Sequence, residues 1–216
     1  HWGIRTCMAN LGSSIVAHCI MNYDVLPTLS ESRQRLVGLL PLIFFGLHLA
    51  HHVHLGDPEN MLWACHLANL LIGVGLLLNW RAVVAVGVLW LSIGLPLWIS
   101  WLSGSPGEFS ITSAMTHVGG MVVGVWAMRQ MTWPRGIWWK AWLAIPLLQV
   151  LSHFTTKTSQ EAREENVNIS QGVWDGWGDI FPSYPVYLVL ILGMVAVVFA
   201  LVEKGFLRLK ILQPKP

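Results

Sequence analysis

The chain has 216 residues, of which 54% are hydrophobic and only 11% are charged, and its formal net charge is +2. An average soluble domain has about 25% charged residues, so this chain has too little charge to cover a surface that faces water. The small net charge also argues against nucleic acid as a partner. The composition therefore predicts an all-α, polytopic membrane protein.

The N-terminal segment, residues 1–30, does not read as a membrane span. Its apolar run at 15–20 is short, and Asn10, Ser14 and Asn22 interrupt the surroundings. We expect a cytoplasmic or interfacial segment, and a short or truncated seventh span is the alternative. The chain has three cysteines, Cys7, Cys19 and Cys65, so at least one thiol is free unless it pairs with another chain.

Six apolar runs follow, and each is close to the roughly 20 residues that a helix needs to cross the hydrocarbon core. They are residues 36–55, 61–79, 82–102, 110–131, 136–153 and 184–202. Short connections rich in Gly and Pro, which end helices, separate most of them. The pattern predicts a six-helix transmembrane bundle over residues 31–206, with one long outer loop at 154–183 and a basic C-terminal tail at 207–216.

The charges give an independent test of this topology. If both termini lie on one side, that side holds eleven of the thirteen basic residues, and only Lys157 and Arg163 lie opposite. Eight of the eleven acidic residues lie on the other face. Basic residues favour the cytoplasmic side, so we predict that both termini are cytoplasmic. We expect a multi-pass protein of the bacterial inner membrane, with membrane lipids as its immediate partners.

Polar and ionisable residues gather at one depth of this bundle. With a rise of about 1.5 Å per residue, helix direction brings eight side chains to the outer leaflet. They are His48, His51, His52, Cys65, His66, Asn69, His117 and His153. Because ionisable groups inside a membrane are costly, they indicate a functional site.

Cys65 is a candidate nucleophile in this layer, provided that a base takes its proton. His66 follows it directly but points about 100° away around the helix, so His117, at a matching depth on another helix, is the better base. The alternative is that Cys65 is a buried small hydrophobic residue, as most buried cysteines are.

The histidines also allow a metal site. His48 and His52 are four residues apart and share one helical face, and with His66 and His117 they offer four imidazoles for Zn, Fe or haem iron. The alternative is that the run from His51 to His54 is a wetted helix end at the interface.

Five short motifs follow one another along the chain between residues 63 and 187. Trp63-Ala-Cys65-His66-Leu-Ala-Asn69 opens the second span, and Leu89-Trp90 with Gly94-Leu95-Pro96 lies in the third. Thr116-His117-Val-Gly, Asn166-Val-Asn168 and Pro182-Ser-Tyr184-Pro-Val-Tyr187 follow. Over roughly residues 36–203 the chain resembles the YwaF-like integral membrane proteins. It is also similar to their relatives transmembrane protein 164 and the androgen-induced lipid hydrolases.

The resemblance implies a membrane-embedded acyl hydrolase or acyltransferase that acts on lipid esters. Cys65 would be the nucleophile and His117 the base, with Asn69 or His66 stabilising the oxyanion and no cofactor needed. Two alternatives stay open. One is the histidine-ligated metal or haem site, and the other is a non-catalytic subunit that packs against other membrane subunits of a larger complex.

Overall fold

The structure, a computed structural model, describes residues 31–104, 109–156, 166–174, 177–181 and 183–208. The predictions for residues 1–30 and for the tail beyond residue 208 lie outside these ranges. The described residues form six main helices and two short 3-10 turns, Pro58–Leu62 and Val167–Ile169. The helices are α1 (Glu31–Leu55), α2 (Ala64–Leu77), α3 (Arg81–Gly104), α4 (Ile111–Gln130), α5 (Ile137–Thr156) and α6 (Tyr184–Arg208).

The all-α prediction and the membrane class are confirmed. Helices α1, α3, α4 and α6 are long and apolar enough to cross a membrane, and the described residues contain no strand. Large apolar side chains, such as Leu147 at 72% and Val189 at 70% exposure, cover the outside of the bundle. A soluble monomer rarely exposes contiguous apolar surface of this extent, so lipid is the solvent that suits it.

Several helix ends differ from the predicted spans: α1 begins five residues earlier, at Glu31, and α6 continues six residues further, to Arg208. The second predicted span begins at residue 61, but α2 begins at Ala64 because Pro58 starts a 3-10 turn that uses the preceding residues. Proline favours the first turn of a helix, where its missing N–H is not needed. The fifth predicted span ends at His153, whereas α5 continues to Thr156.

Glycines let the helices approach one another closely. A Cβ atom at Gly73 of α2 would lie 2.5 Å from Leu42 of α1, and one at Gly87 of α3 would lie 2.7 Å from the Ala68 carbonyl oxygen. Small residues at such contacts are typical of membrane helix pairs. The same holds at Gly124 of α4, where a Cβ atom would lie 2.7 Å from Val88 of α3.

The contacts between helices define two ends of the bundle. At one end, which we call the loop end, residues 56–63 and 166–174 cover the termini of α1, α2 and α5. At the other end, Glu203 of α6 accepts hydrogen bonds from the backbone N–H groups of Gly136 and Trp138, at 2.6 and 2.8 Å, and so caps the start of α5. The site described next lies at the loop end.

Candidate functional site

Three helices bring histidines and a cysteine together near the loop end. Nε2 of His48 on α1 lies 3.3 Å from Nε2 of His66 on α2. The ring of His117 on α4 packs edge to face against His66, with 5.3 Å between ring centroids. One ring nitrogen each of His66 and His117 and Sγ of Cys65 all lie within 4.8 Å of one another. These four side chains, His48, Cys65, His66 and His117, form what we call the His/Cys centre.

The imidazoles of the centre are buried and share one hydrogen-bonding pattern. His48, His66 and His117 are 2%, 7% and 2% exposed. Nδ1 of His66 lies 2.9 Å from the Asn60 carbonyl oxygen, and Nδ1 of His117 lies 2.9 Å from that of Ser113. A carbonyl oxygen only accepts, so both Nδ1 atoms carry the proton and both Nε2 atoms keep a lone pair. Nδ1 of His48 lies 3.0 Å from the hydroxyl oxygen of Thr112.

His52 adjoins the centre and repeats the pattern. Its Nδ1 lies 3.1 Å from both carboxylate oxygens of Asp57, and Oδ2 of that carboxylate also accepts a hydrogen bond from the Asn60 side chain. Its ring packs edge to face against His48 at 4.6 Å and lies 6.0 Å from His66. His51 stacks on His48 at 6.2 Å. These two histidines therefore extend the cluster from His48 toward the end of α1, where His54 is exposed.

Cys65 occupies the first turn of α2, where α3 comes very close. A Cβ atom at Gly94 would lie 2.5 Å from Cys65 Cβ and 3.7 Å from its Sγ, so only glycine at position 94 leaves room for the thiol. The side chain is half-buried and free of any disulfide. The hydrogen bonds of His117 within the described residues go to Ser113 and Thr116 rather than to the thiol.

Asn69 lies one turn below Cys65 and joins α2 to α4. Its Nδ2 group donates to the carbonyl oxygens of Thr116, at 2.9 Å, and Cys65, at 3.3 Å. Both amide hydrogens are thus directed at backbone oxygens. The fully buried side chain also rests against Gly120, where a Cβ atom would collide with the carboxamide. The amide is therefore engaged in holding two helices together, not presented to an oxyanion.

Two features of the centre had no signal in the sequence. Residues Met115–Gly119 of α4 form a π-turn, which shifts the backbone hydrogen bonds by one residue. The Ser113 carbonyl is then available to the side chains of Thr116 and His117. The indole of Trp98 on α3 also stacks on His117, with 5.0 Å between centroids and 6° between planes.

The remaining predicted residue, His153, lies away from the centre. It is exposed near the end of α5, and its Nδ1 donates to the Ser170 carbonyl oxygen at 2.9 Å. The part of the long loop that the structure describes packs against the start of α2, with Trp174 against Trp63 at 5.9 Å.

Comparison with protein-family models, with curated proteins and with solved structures finds no match. The resemblance to the YwaF-like proteins therefore stays a prediction.

Proposed function

We propose that this chain is a six-span membrane protein that binds a transition-metal ion in its His/Cys centre, near the outer face of the membrane. The single observation that carries the proposal is the shared orientation of the imidazoles. In His48, His52, His66 and His117, Nδ1 lies 2.9–3.1 Å from an oxygen atom. Histidines that bind metal almost always donate their other ring N–H in this way, which fixes the tautomer and directs the lone pair to the ion.

The distances fit one small ion. Zinc binds imidazole nitrogen at about 2.0–2.1 Å and thiolate sulfur at about 2.3 Å. Two nitrogens on one tetrahedral ion are therefore about 3.4 Å apart, and the Nε2 atoms of His48 and His66 are 3.3 Å apart. Cys65, His66 and His117 each have a ligand atom within 4.8 Å of the other two, and His48 adjoins this set through its contact with His66.

The chemistry of the donors favours a borderline or soft ion. Imidazole and thiolate select zinc, copper or iron over calcium and magnesium, which prefer oxygen. In the absence of an ion, Nε2–H of His48 can donate a hydrogen bond to Nε2 of His66 across this 3.3 Å contact, because the Thr112 hydroxyl can donate to Nδ1 of His48. A metal ion bound between the two rings would replace that proton. The rings pack edge to face at 4.5–5.3 Å between centroids, which favours a single ion over the flat porphyrin of a haem.

The topology in this proposal is the one that the charges predict. Helix α5 has 20 residues and is about 30 Å long. Helix α2 has only 14 residues and is about 21 Å long. The 3-10 turn at Pro58–Leu62 continues α2 toward the loop end. With six spans, both termini are cytoplasmic and the loop end, with its His/Cys centre, faces outward.

The metal content of the purified full-length chain in detergent tests the proposal. We expect about one zinc, copper or iron ion per chain by inductively coupled plasma mass spectrometry, and loss of that ion in His66→Ala. His153→Ala is the matched control, since His153 also donates Nδ1–H to a carbonyl but lies outside the centre. A wild-type chain without metal, or equal metal content in the two variants, would overturn the proposal.

A second candidate is the thiol-dependent acyl hydrolase or acyltransferase, and the proximity of Cys65 to His117 favours it. In that reaction Sγ of Cys65 would attack the ester carbonyl while Nε2 of His117 takes the thiol proton and passes it to the leaving alcohol. A thioester results, and water or a second alcohol then takes the acyl group. Neither hydrogen of the Asn69 amide is free to assist.

The variant Cys65→Ala separates the two candidates. If Cys65 is the nucleophile, lipid ester turnover by the purified chain disappears in Cys65→Ala, whereas His48→Ala keeps most of it. If the metal centre is correct, both variants lose metal affinity, because each removes one ligand. Undiminished turnover in Cys65→Ala would contradict the thiol mechanism.

A further inference from the structure

A short segment of the long loop, residues 166–171, docks directly on the start of α2. We call it the docked segment. It contains the 3-10 turn Val167–Ile169, and three of its residues have left-handed backbone angles, with φ of 51° at Asn166, 53° at Asn168 and 60° at Ile169. Asparagine tolerates this region, but a β-branched residue there is a true outlier. Such strain persists only where the surroundings hold it, and it clusters at functional sites.

Asn168 provides the contacts that hold this conformation. Its Oδ1 accepts a hydrogen bond from the Ala64 backbone N–H at 3.0 Å. Its Nδ2 donates to the Leu62 carbonyl oxygen at 2.7 Å and to the Ser152 hydroxyl at 2.8 Å. Its own carbonyl oxygen accepts from the Gln149 side chain at 3.1 Å. The side chain is buried, and each of its polar atoms has a partner.

These bonds replace the cap that α2 otherwise lacks. The first N–H groups of a helix have no partner within it, and Trp63, the residue before α2, provides no side-chain cap. Asn168 supplies that acceptor from more than 100 residues away, at Ala64 itself. It also holds the Leu62 carbonyl on the other side of Trp63. The backbone is thus fixed on both sides of the entry into α2.

The two residues that follow Ala64 are Cys65 and His66 of the His/Cys centre. Metal and catalytic centres tolerate displacements of only about 0.5 Å, so the location of this first turn sets the geometry of the centre. We propose that Asn168 is a positioning residue: through Ala64 and Leu62 it fixes where Cys65 Sγ and His66 Nε2 lie relative to His48 and His117. This inference rests on the proposed metal function for one of its two readouts.

Asn166 offers a matched control within the same segment. It has the same left-handed backbone, and its side chain makes two hydrogen bonds, to the Gly172 carbonyl oxygen and from the Gln171 N–H, both at 2.9 Å. Those bonds stay inside the loop and do not reach α2. Both Asn→Ala changes remove amide hydrogen bonds from a strained position, but only Asn168→Ala releases the start of α2.

The experiment uses the full chain in detergent, in a Cys7→Ser/Cys19→Ser background that leaves Cys65 as the single thiol. The first readout is titration of the metal-free protein with Co²⁺, which gives an affinity and a thiolate-to-cobalt absorption band. We expect about tenfold or greater weakening of Co²⁺ affinity and a shifted band in Asn168→Ala, and values within about twofold of the parent chain in Asn166→Ala.

The second readout needs no metal. In metal-free protein, the rate at which a small maleimide modifies Cys65 reports on the first turn of α2. We expect a severalfold faster rate in Asn168→Ala and an unchanged rate in Asn166→Ala. Equal effects of the two variants, or no effect of Asn168→Ala on either readout, would overturn the inference.

If Asn168→Ala does not fold, Ser152→Ala removes one hydrogen bond of Asn168, and Thr155→Ala, an exposed neighbour on α5, is its control. Ser152→Ala should then move both readouts in the same direction by a smaller factor, and a result equal to Thr155→Ala would overturn the inference. If the parent chain binds no Co²⁺, the proposed function fails, and the maleimide rates alone decide the role of Asn168.

Discussion

Single hydrogen bonds decide what the histidines of the His/Cys centre can do. A carbonyl oxygen behind His66 and another behind His117 place the proton on Nδ1 and leave Nε2 bare. The hydroxyl of Thr112 lies behind His48, and because a hydroxyl both donates and accepts, it orients the His48 ring without fixing which nitrogen carries the proton. Such partners orient a ligand and raise its basicity, and their loss typically lowers metal affinity by about 10- to 100-fold. For the metal site that we propose, the residues behind the ligands would therefore matter nearly as much as the ligands.

The variant Thr112→Val tests this point at His48. Valine keeps the shape of threonine but removes the oxygen 3.0 Å from Nδ1 of His48. We expect Co²⁺ affinity to fall by about 10-fold or more. Thr155→Val is the control, because the exposed hydroxyl of Thr155 bonds only carbonyl oxygens of its own helix. Equal affinities in the two variants would show that Thr112 does not orient His48.

Gly120 of α4 packs directly against the side chain of Asn69 on α2. A methyl group at position 120 would collide with the Asn69 carboxamide and disturb its 2.9 Å bond to Thr116. We expect Gly120→Ala to destabilise the chain by about 1–3 kcal/mol, measured as a lower midpoint of thermal unfolding in detergent. In Gly193→Ala the new methyl group meets nothing within 4 Å, so its midpoint should stay the same or rise. A stable Gly120→Ala protein would contradict the described packing.

Individual helices are held at their ends by side chains from distant parts of the chain. Asn168 caps the start of α2, and Glu203 of α6 caps the start of α5. In the hydrocarbon region a backbone N–H without a partner is costly, so a helix that begins near that region gains from such a cap. A carboxylate also interacts favourably with the positive end of the helix dipole. These caps fix where each helix begins.

A substitution at Glu203 tests how much the cap on α5 stabilises the protein. In Glu203→Gln one carboxylate oxygen becomes an NH₂ group, which cannot accept, so one of the two hydrogen bonds from Gly136 and Trp138 is lost. We expect a loss of about 1–3 kcal/mol in the free energy of unfolding, seen as a lower thermal midpoint in detergent. Lys204→Gln, at the exposed neighbouring position, should leave the midpoint unchanged. A midpoint in Glu203→Gln equal to that of the control would show that the cap contributes little.

The packed apolar interior and the cluster of ionisable side chains lie in different parts of the bundle. The interior between α2, α3 and α4 is apolar and tightly packed, with Ile72, Val88 and Met128 fully buried. The ionisable side chains of the centre gather instead near the loop end. In the proposed topology, a metal centre at that depth would lie close to water and to lipid headgroups, although its imidazoles are buried.

The proposed orientation can be tested with single cysteines in a chain whose native cysteines are replaced. Asp179 lies at the loop end and Arg135 at the opposite end, and both are exposed. We expect a membrane-impermeant maleimide to label Asp179→Cys in intact cells and Arg135→Cys only after permeabilisation, because basic connections favour the cytoplasm. Labelling of both residues from the same side would contradict the six-span topology.

The depth of each residue in the membrane, read from the sequence, was enough to predict much of the candidate site. The sequence predicted a common level for His48, Cys65, His66 and His117, because the rise per residue of a helix is fixed and the apolar runs define where each helix starts. It could not predict how each helix is rotated about its axis. That rotation directs the amide of Asn69 to the Thr116 carbonyl, and it directs His153 toward the loop.

By itself, the sequence determined the solvent and the secondary structure of this protein. Sparse charge and long apolar runs leave lipid as the environment, and in lipid a backbone must satisfy its own hydrogen bonds as helix. Only the tertiary structure decided the chemistry of the centre. The indole of Trp98 over His117 and the cap from Asn168 join residues far apart in the chain, and the π-turn at Met115–Gly119 of α4 frees the Ser113 carbonyl for His117. Such contacts depend on how whole helices pack, and no local pattern records them.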